Sequence, residues 1–199
     1  MPASCQFGDR FTLPGQYGPF DYRTATREQK EIVERRHFTL PWAAVQKGKL
    51  VWYMDGQYIG PVGADFDYTL RAFPNHYQAL KAIDEVEFRL KNPKVPGLNW
   101  SVNCYFLRAS GFRPDDGLVR ALYGAYLARR GKAAQARLEL DRATELTPNS
   151  INVESHVAWS YFAIGDWADA EKHARLAYEY GYALPGLRDK LKAKGHWSE

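Results

Sequence analysis

The sequence predicts an all-α fold, an α-solenoid of antiparallel helix pairs closed by a C-terminal capping helix and preceded by an irregular aromatic-rich arm and a small β-hairpin. Three observations predict it. Two consecutive windows, 117–150 and 151–184, repeat in phase, and a period of this length belongs to stacked helical repeats. Beyond residue 64, glycine and proline recur where helices would have to stop. The 199 residues are 45% hydrophobic, 25% charged and 15% aromatic, which supports a packed core and excludes a disordered or collagen-like chain.

Residues 1–63 read as the arm with a short helix and the hairpin. In the first 23 residues Gly8, Gly15, Gly18, Pro14 and Pro19 fall between Phe7, Phe11, Tyr17, Phe20 and Tyr22, so neither a helical nor a strand period survives. Thr26 with Gln29 three residues later is a capping box, opening a short helix to Arg36 that contains Ile32 and Val33, and Pro41 is expected to interrupt it. The run LVWYMDGQYIGPV, Leu50 to Val62, is rich in β-formers around Asp55-Gly56. Both turn positions tolerate positive φ, as a two-residue hairpin requires.

Residues 64–199 read as the repeats. The first window carries Tyr123, Gly124, Leu127, Gly131, Ala136, Leu140, Ala143 and Pro148; the second carries Val157, Ala158, Tyr161, Gly165, Ala170, Ala174 and Ala177, with Tyr182 in the proline position. Small residues in both helices let a pair approach closely while larger ones fill the gaps. Gly131 and Gly165 turn the chain between the helices, and Pro148 stops the second. Both windows resemble the tetratricopeptide repeat (TPR) family, which makes the fold a TPR-like α-solenoid.

Upstream, residues 77–116 form a degenerate repeat. Phe106, Ala109 and Pro114 keep the mutual spacing of Leu140, Ala143 and Pro148, so a second helix is expected from about Gly97 to Ser110. Its partner is Tyr77 to Leu90, opened by a capping box from Asn75 to Gln78, and the link KNPKVPGLN is about six residues longer than the family's turn, an insertion. Pro74 closes one more second helix, Ala64 to Phe73, whose first helix would be Thr26 to Arg36 with the hairpin in place of a tight turn. At the other end, 185–194 is the capping helix. Leu184, Leu187 and Leu191 lie on one side, with Arg188, Lys190, Lys192 and Lys194 as a solvated face on the other.

The net charge is only +4, spread along the chain, so no nucleic-acid partner is indicated. No apolar run reaches the roughly 18 residues of a membrane span. Cys5 and Cys104 match no metal spacing. They either pair, which fits an oxidising compartment, or remain a loose terminal and a buried helical thiol. Catalytic signatures are absent: the segment GAYLARRGKA from Gly124 lacks the spacing of a phosphate loop, and His37, His76, His156, His173 and His196 fall in separate elements without a pairwise metal spacing. No cofactor and no metal is expected. Asn99-Trp100-Ser101 is a formal glycosylation sequon, relevant only in a eukaryotic secretory setting.

The resemblance implies a concave surface lined by the first helix of each pair. Helical spacing assigns it Gln78, Lys81, Glu85 and Phe88, then Leu118, Ala121, Ala125 and Arg129, then Asn152, Ser155, Trp159 and Phe162. Trp159 and Phe162 read either as apolar anchors for a bound segment or as packing for the capping helix. The clamp with which some family members hold a peptide carboxylate is missing, since Ala121 and Ala125 occupy its positions. The implied function is non-enzymatic protein–protein interaction or scaffolding. Alternatives are a small-ligand binder or enzyme with its site between the arm and the repeats, and a structural subunit of an envelope assembly. YGPFDYR and YTLRAFPNH are similar to segments of uncharacterised exported bacterial TPR proteins, which implies a periplasmic location. Met1-Pro2-Ala3-Ser4 is too short for a signal peptide, so the alternatives are a removed export signal with an added start, or a cytoplasmic protein.

Overall fold

The Thr26 capping box forms: the Gln29 N–H donates to the Thr26 hydroxyl at 3.2 Å, and the Thr26 N–H to the Gln29 side-chain carbonyl at 2.9 Å. It opens α1 (Arg27–Glu34). In this computed structural model, which describes Cys5 and residues 17–197, Pro41 does not interrupt the helix. The chain continues through a π-helical segment, Arg35–Thr39, into α2 (Leu40–Gln46), with Pro41 in its first turn. Proline lacks an N–H and its ring crowds the carbonyl four residues back, here that of His37. The wider π turn makes room, and the His37 carbonyl accepts the Thr69 hydroxyl at 2.7 Å.

The hairpin pairs β1 (Val51–Met54) with β2 (Gln57–Pro61), antiparallel, Val51 opposite Pro61 and Met54 opposite Gln57. Asp55 and Gly56 take φ of 51° and 80°, the positive pair that a two-residue turn of matching twist needs. A register shift between Trp52 and Tyr53 separates a buried base, Trp52, from an exposed tip.

The helices α3 (Val62–Ala72), α4 (Tyr77–Leu90) and α5 (Val102–Phe112) complete this part of the chain. Phe66, Leu70, Phe73, Leu80, Ile83, Tyr105 and Phe106 are buried in it. Two expectations change. The cap of α4 is His76, whose Nδ1 accepts the Ala79 N–H at 3.0 Å, while Asn75 binds Tyr22 and Asp21 instead. The second helix of the degenerate repeat starts at Val102, five residues after the expected Gly97, because the link crosses α3 at close range: a Cβ on Gly63 would lie 2.2 Å from the Pro96 carbonyl oxygen. Tyr17, Phe20 and Tyr22 of the arm pack on Val33, Ala72 and Phe73. Phe7 and Phe11, with the arm's first glycines and Pro14, lie outside the described residues. Cys5 and Cys104 form a disulfide that ties Cys5 to α5.

By compactness the chain divides into two units, Met1–Pro114 and Asp115–Glu199, so the degenerate repeat groups with the arm and hairpin. The second unit holds α6 (Gly117–Arg129), α7 (Ala133–Leu146), α8 (Ile151–Ala163), α9 (Trp167–Glu179) and α10 (Gly186–Ala193). α6 packs on α7 and α8, α8 on α9, and α9 on α10. Gly124 lies against Leu140 and the Ala136 carbonyl, and Ala136, Leu140 and Ala143 have no exposed surface. Gly131 and Gly165 carry φ of 71° and 81° in the turns between α6 and α7 and between α8 and α9.

The helix junctions repeat. α3, α5 and α7 end on Phe73, Arg113 and Thr147 with φ of −132°, −129° and −138°, each donating its N–H to the residue four back. A proline follows each: Pro74, Pro114 and Pro148. Two residues later His76, Asp116 and Ser150 cap α4, α6 and α8, each accepting from the N–H three residues on. A proline disfavours helical φ/ψ in the residue before it, which stops one helix, and the following acceptor starts the next.

Candidate functional site

The expected groove residues fall on three helices. In the N-terminal unit, α4 carries Gln78, Lys81, Glu85 and Phe88; Phe88 is 53% exposed, and Glu85 accepts from Arg89 at 2.7 Å. In the C-terminal unit, α6 carries Leu118 and Arg129, and its neighbour α8 carries Asn152, Trp159 and Phe162. Ala121 and Ser155, expected to be exposed, are buried, and the Ser155 hydroxyl donates to the Asn152 carbonyl at 3.2 Å. Trp159 and Phe162 are half-buried and meet edge to face, with centroids 6.3 Å apart. The Trp159 indole N–H also donates to the Tyr182 hydroxyl at 3.3 Å, just ahead of the capping helix. This aromatic pair therefore has an internal partner in Tyr182 and stays partly exposed.

The N-terminal unit contains a polar network centred on DFDYTLRAFPNH. Asp67, buried in α3, accepts from Asn99 and Arg71 at 2.9 Å each and from the Tyr105 hydroxyl. Burial and the Asp67 charge push the Tyr105 phenol far up. Arg108 donates to the carbonyls of Leu70 and Arg71 at the end of α3, where a helix gathers negative potential; burial brings its guanidinium down to about 10, so it stays charged at neutral pH. Asp65 accepts from the Trp52 indole at 2.6 Å and lies 2.7 Å from His37 Nδ1, joining hairpin, π segment and α3. Because His76 Nδ1 accepts the Ala79 N–H, its proton sits on Nε2 and points to Glu34 at 3.2 Å, where the Tyr22 hydroxyl also donates at 2.7 Å. The His76 hydrogen bond holds the Glu34 carboxyl below its usual range, against its burial. Asp21 accepts from Asn75 at 2.7 Å and from Arg23 at 2.9 Å, and forms an ion pair with Arg113 at 3.1 Å.

The acids and bases of this network hold one another and the helix ends, so its chemistry is that of a clamp on backbone segments. No local sequence pattern marks it, because its partners come from the arm, the hairpin and the link, distant along the chain from α3.

A third feature is an open cleft of about 1110 Å³ on the outer face of α1, the π segment and α2. Ile32, Arg35, Arg36, Thr39 and Leu40 line one wall, and Met54 and Asp55 at the hairpin tip line the other. Residues 32, 36 and 40 form a stripe at helical spacing, beside the row of buried Val33, Pro41 and Val45. Sequence reading missed it because nothing local brings the hairpin tip to this helix.

Among the described residues no group of three or more His, Cys, Asp and Glu is gathered to hold a metal ion, and no helix is long and apolar enough to cross a membrane. The chain matches no family model, no curated protein and no solved structure.

Proposed function

We propose that this chain is a non-enzymatic interaction module, a TPR-like α-solenoid that takes an extended or helical segment of a partner protein along α6 and α8. The half-buried pair Trp159 and Phe162 carries the reading: an aromatic pair held edge to face on a helix surface resembles the pre-positioned anchors that dominate binding energy at protein interfaces. The recurring junctions at Pro74, Pro114 and Pro148, with the same cap geometry each time, support the repeat. Arg129 is exposed on α6 and would act through association rate and salt dependence. The Cys5–Cys104 disulfide is compatible with export, because such bonds persist in oxidising compartments, and a periplasmic location belongs to this proposal.

The test is affinity capture from the source organism with the wild-type chain and with Trp159→Ala and Phe162→Ala as baits, each checked by circular dichroism. A protein captured by wild type and lost with both folded variants supports the groove. If the folded variants capture it as well as wild type, the pair only packs against Tyr182 and the reading fails.

A further inference from the structure

Among the described residues no third strand joins β1 and β2. In an antiparallel ladder, residues alternately turn their N–H and C=O toward the neighbouring strand and away from it. The Val62 N–H donates to the Leu50 carbonyl at 3.0 Å, and Met54 stands opposite Gln57 across the two-residue turn. Leu50, Trp52 and Met54 therefore turn their backbone groups toward β2, and Val51 and Tyr53 turn theirs outward. β1 runs without an extra residue, because the register shift makes Ile59 the extra one in β2. The outer edge of β2 is further broken by Pro61, which has no N–H to offer.

Natural sheets commonly blunt a free edge with charge, proline or a bulge. β1, VWYM, has none of these. Val51 and Tyr53 are exposed, Tyr53 by 55%, and Tyr53 meets the exposed Tyr58 edge to face with centroids 5.7 Å apart. Over residues 47–62 the charged side chains are Lys47, Lys49 and Asp55, all exposed. Their order decides what fits the edge. Lys49, Val51, Tyr53 and Asp55 alternate along the chain, and read antiparallel to itself about Trp52 the segment sets Lys49 against Asp55 and Val51 against Tyr53. A slip of two residues either way sets Lys49 against Tyr53 or Val51 against Asp55, so one register alone matches both pairs. Lys47 lies outside the matched stretch.

We propose that β1 pairs with β1 of a second copy of this chain, antiparallel about Trp52, and joins two hairpins into one four-stranded sheet. Val51 and Tyr53 of one copy exchange backbone hydrogen bonds with Tyr53 and Val51 of the other. Lys49 of each copy lies beside Asp55 of the other, just beyond the strand ends. A two-fold contact of this kind closes on itself, and the edge left outside is that of β2, already interrupted by Ile59 and Pro61. The site lies in the N-terminal unit and involves neither α6 nor α8.

Sedimentation velocity on the whole chain over a range of concentrations tests it. Wild type should pass from monomer to dimer as concentration rises. Lys49→Glu sets two carboxylates together at each end of the contact, and Asp55→Lys sets two ammonium groups there. Each variant alone should weaken dimerisation by about tenfold or more, since the contact occurs twice in the dimer. An equimolar mixture of the two variants should restore it, because opposite charges then face each other at both ends. Both positions are exposed, a lysine already holds a φ of 49° at position 91, close to the 51° of Asp55, and circular dichroism checks the fold. Trp159→Ala should dimerise as wild type does. A wild-type chain that stays monomeric up to about 1 mM, single variants that dimerise as well as wild type, or a mixture no better than its components overturns the proposal. Loss of the dimer with Trp159→Ala and not with the hairpin variants also overturns it, by moving the contact to the C-terminal unit.

Discussion

Gly63→Ala should destabilise the protein even though alanine is the better helix former. Gly63 lies in the first turn of α3 with ordinary helical backbone, where a glycine-to-alanine exchange by itself favours the helix by about 1 kcal/mol. The opposing effect is steric. A Cβ would stand 2.2 Å from the Pro96 carbonyl oxygen and 3.2 Å from the Leu98 nitrogen, the first more than roughly 1 Å inside ordinary contact. Both obstacles are backbone, and the link that carries them cannot easily retreat. Val95 is buried, Asn99 donates to Asp67 at 2.9 Å, and a Cβ on Gly97 would itself lie 2.4 Å from the Ala64 nitrogen. Overpacking costs about 1–3 kcal/mol, more where backbone must move, so the upper end applies and the net loss is about 2 kcal/mol. For a chain of this length that is a fall of about 4–8 °C in melting temperature. Denaturant unfolding followed by circular dichroism measures it. A variant as stable as wild type, or more so, would refute the claim that the link presses on α3.

Gly124→Ala sets up the same conflict against a softer obstacle, since the new Cβ meets the Leu140 side chain at 2.5 Å; a loss of about 1 kcal/mol is expected, smaller than for Gly63→Ala in the same assay. Asp21 is held at about 2 against an ordinary 3.8, burial acting to raise it and the hydrogen bonds of Arg23 and Asn75 outweighing burial. Its folded value lies below the unfolded one, so its contribution is complete above about pH 4 and fades as pH falls toward 2. Asp21→Asn should flatten stability over that window, and an unchanged acid limb would count against the network. Reducing the Cys5–Cys104 bond, 99 residues apart in sequence, should cost up to about 4–5 kcal/mol through the freed unfolded chain, read as a lower denaturant midpoint in the Cys104→Ser variant.

What could be read from the sequence was local. The Asp55-Gly56 turn, the Thr26 capping box and the prolines at 74, 114 and 148 act within four residues of themselves, and each forms. The glycine and alanine spacing of α6 and α7 was legible for a related reason: close packing of neighbouring helices leaves a periodic mark. The polar network was not, because its partners are 53 residues apart for Tyr22 and Asn75 and 32 apart for Asn99 and Asp67. Asn75 shows the consequence. By local rules it is the better cap, yet Tyr22 and Asp21 take its side chain, and His76 caps α4 in its place. Pro41 follows the same pattern: its local meaning is a helix stop, and the Thr69 hydroxyl on the His37 carbonyl accompanies a continuation instead. On α8, spacing put Ser155 in line with Asn152 and Trp159, but a helix buried on most sides leaves a narrower open strip than periodicity alone suggests.

The two units are therefore held together by different physics, and this bears on where each can present a surface. In the C-terminal unit small residues and apolar side chains fill the helix interfaces, and polar pairs cross between regular helices, Arg120 with Glu139, the Tyr161 hydroxyl with Asp141 and His173 with Glu154. In the N-terminal unit segments of irregular backbone, namely the arm, the hairpin and the long link, have no helical face to bury. Each is fixed by a hydrogen bond to α3 or to Asn75 just ahead of the α4 cap: the Tyr22 N–H and the Asp21 carboxylate for the arm, Trp52 for the hairpin, Asn99 for the link. A two-stranded hairpin is marginal in isolation, but with Trp52 buried and its indole bound to Asp65 the base is anchored while Tyr53, Met54 and Tyr58 stay exposed at the tip. Contacts presented from a fixed support bind with less ordering cost than those on a mobile loop. The buried charges around α3 thus act at a distance, by holding the hairpin tip across from Arg35 and Arg36.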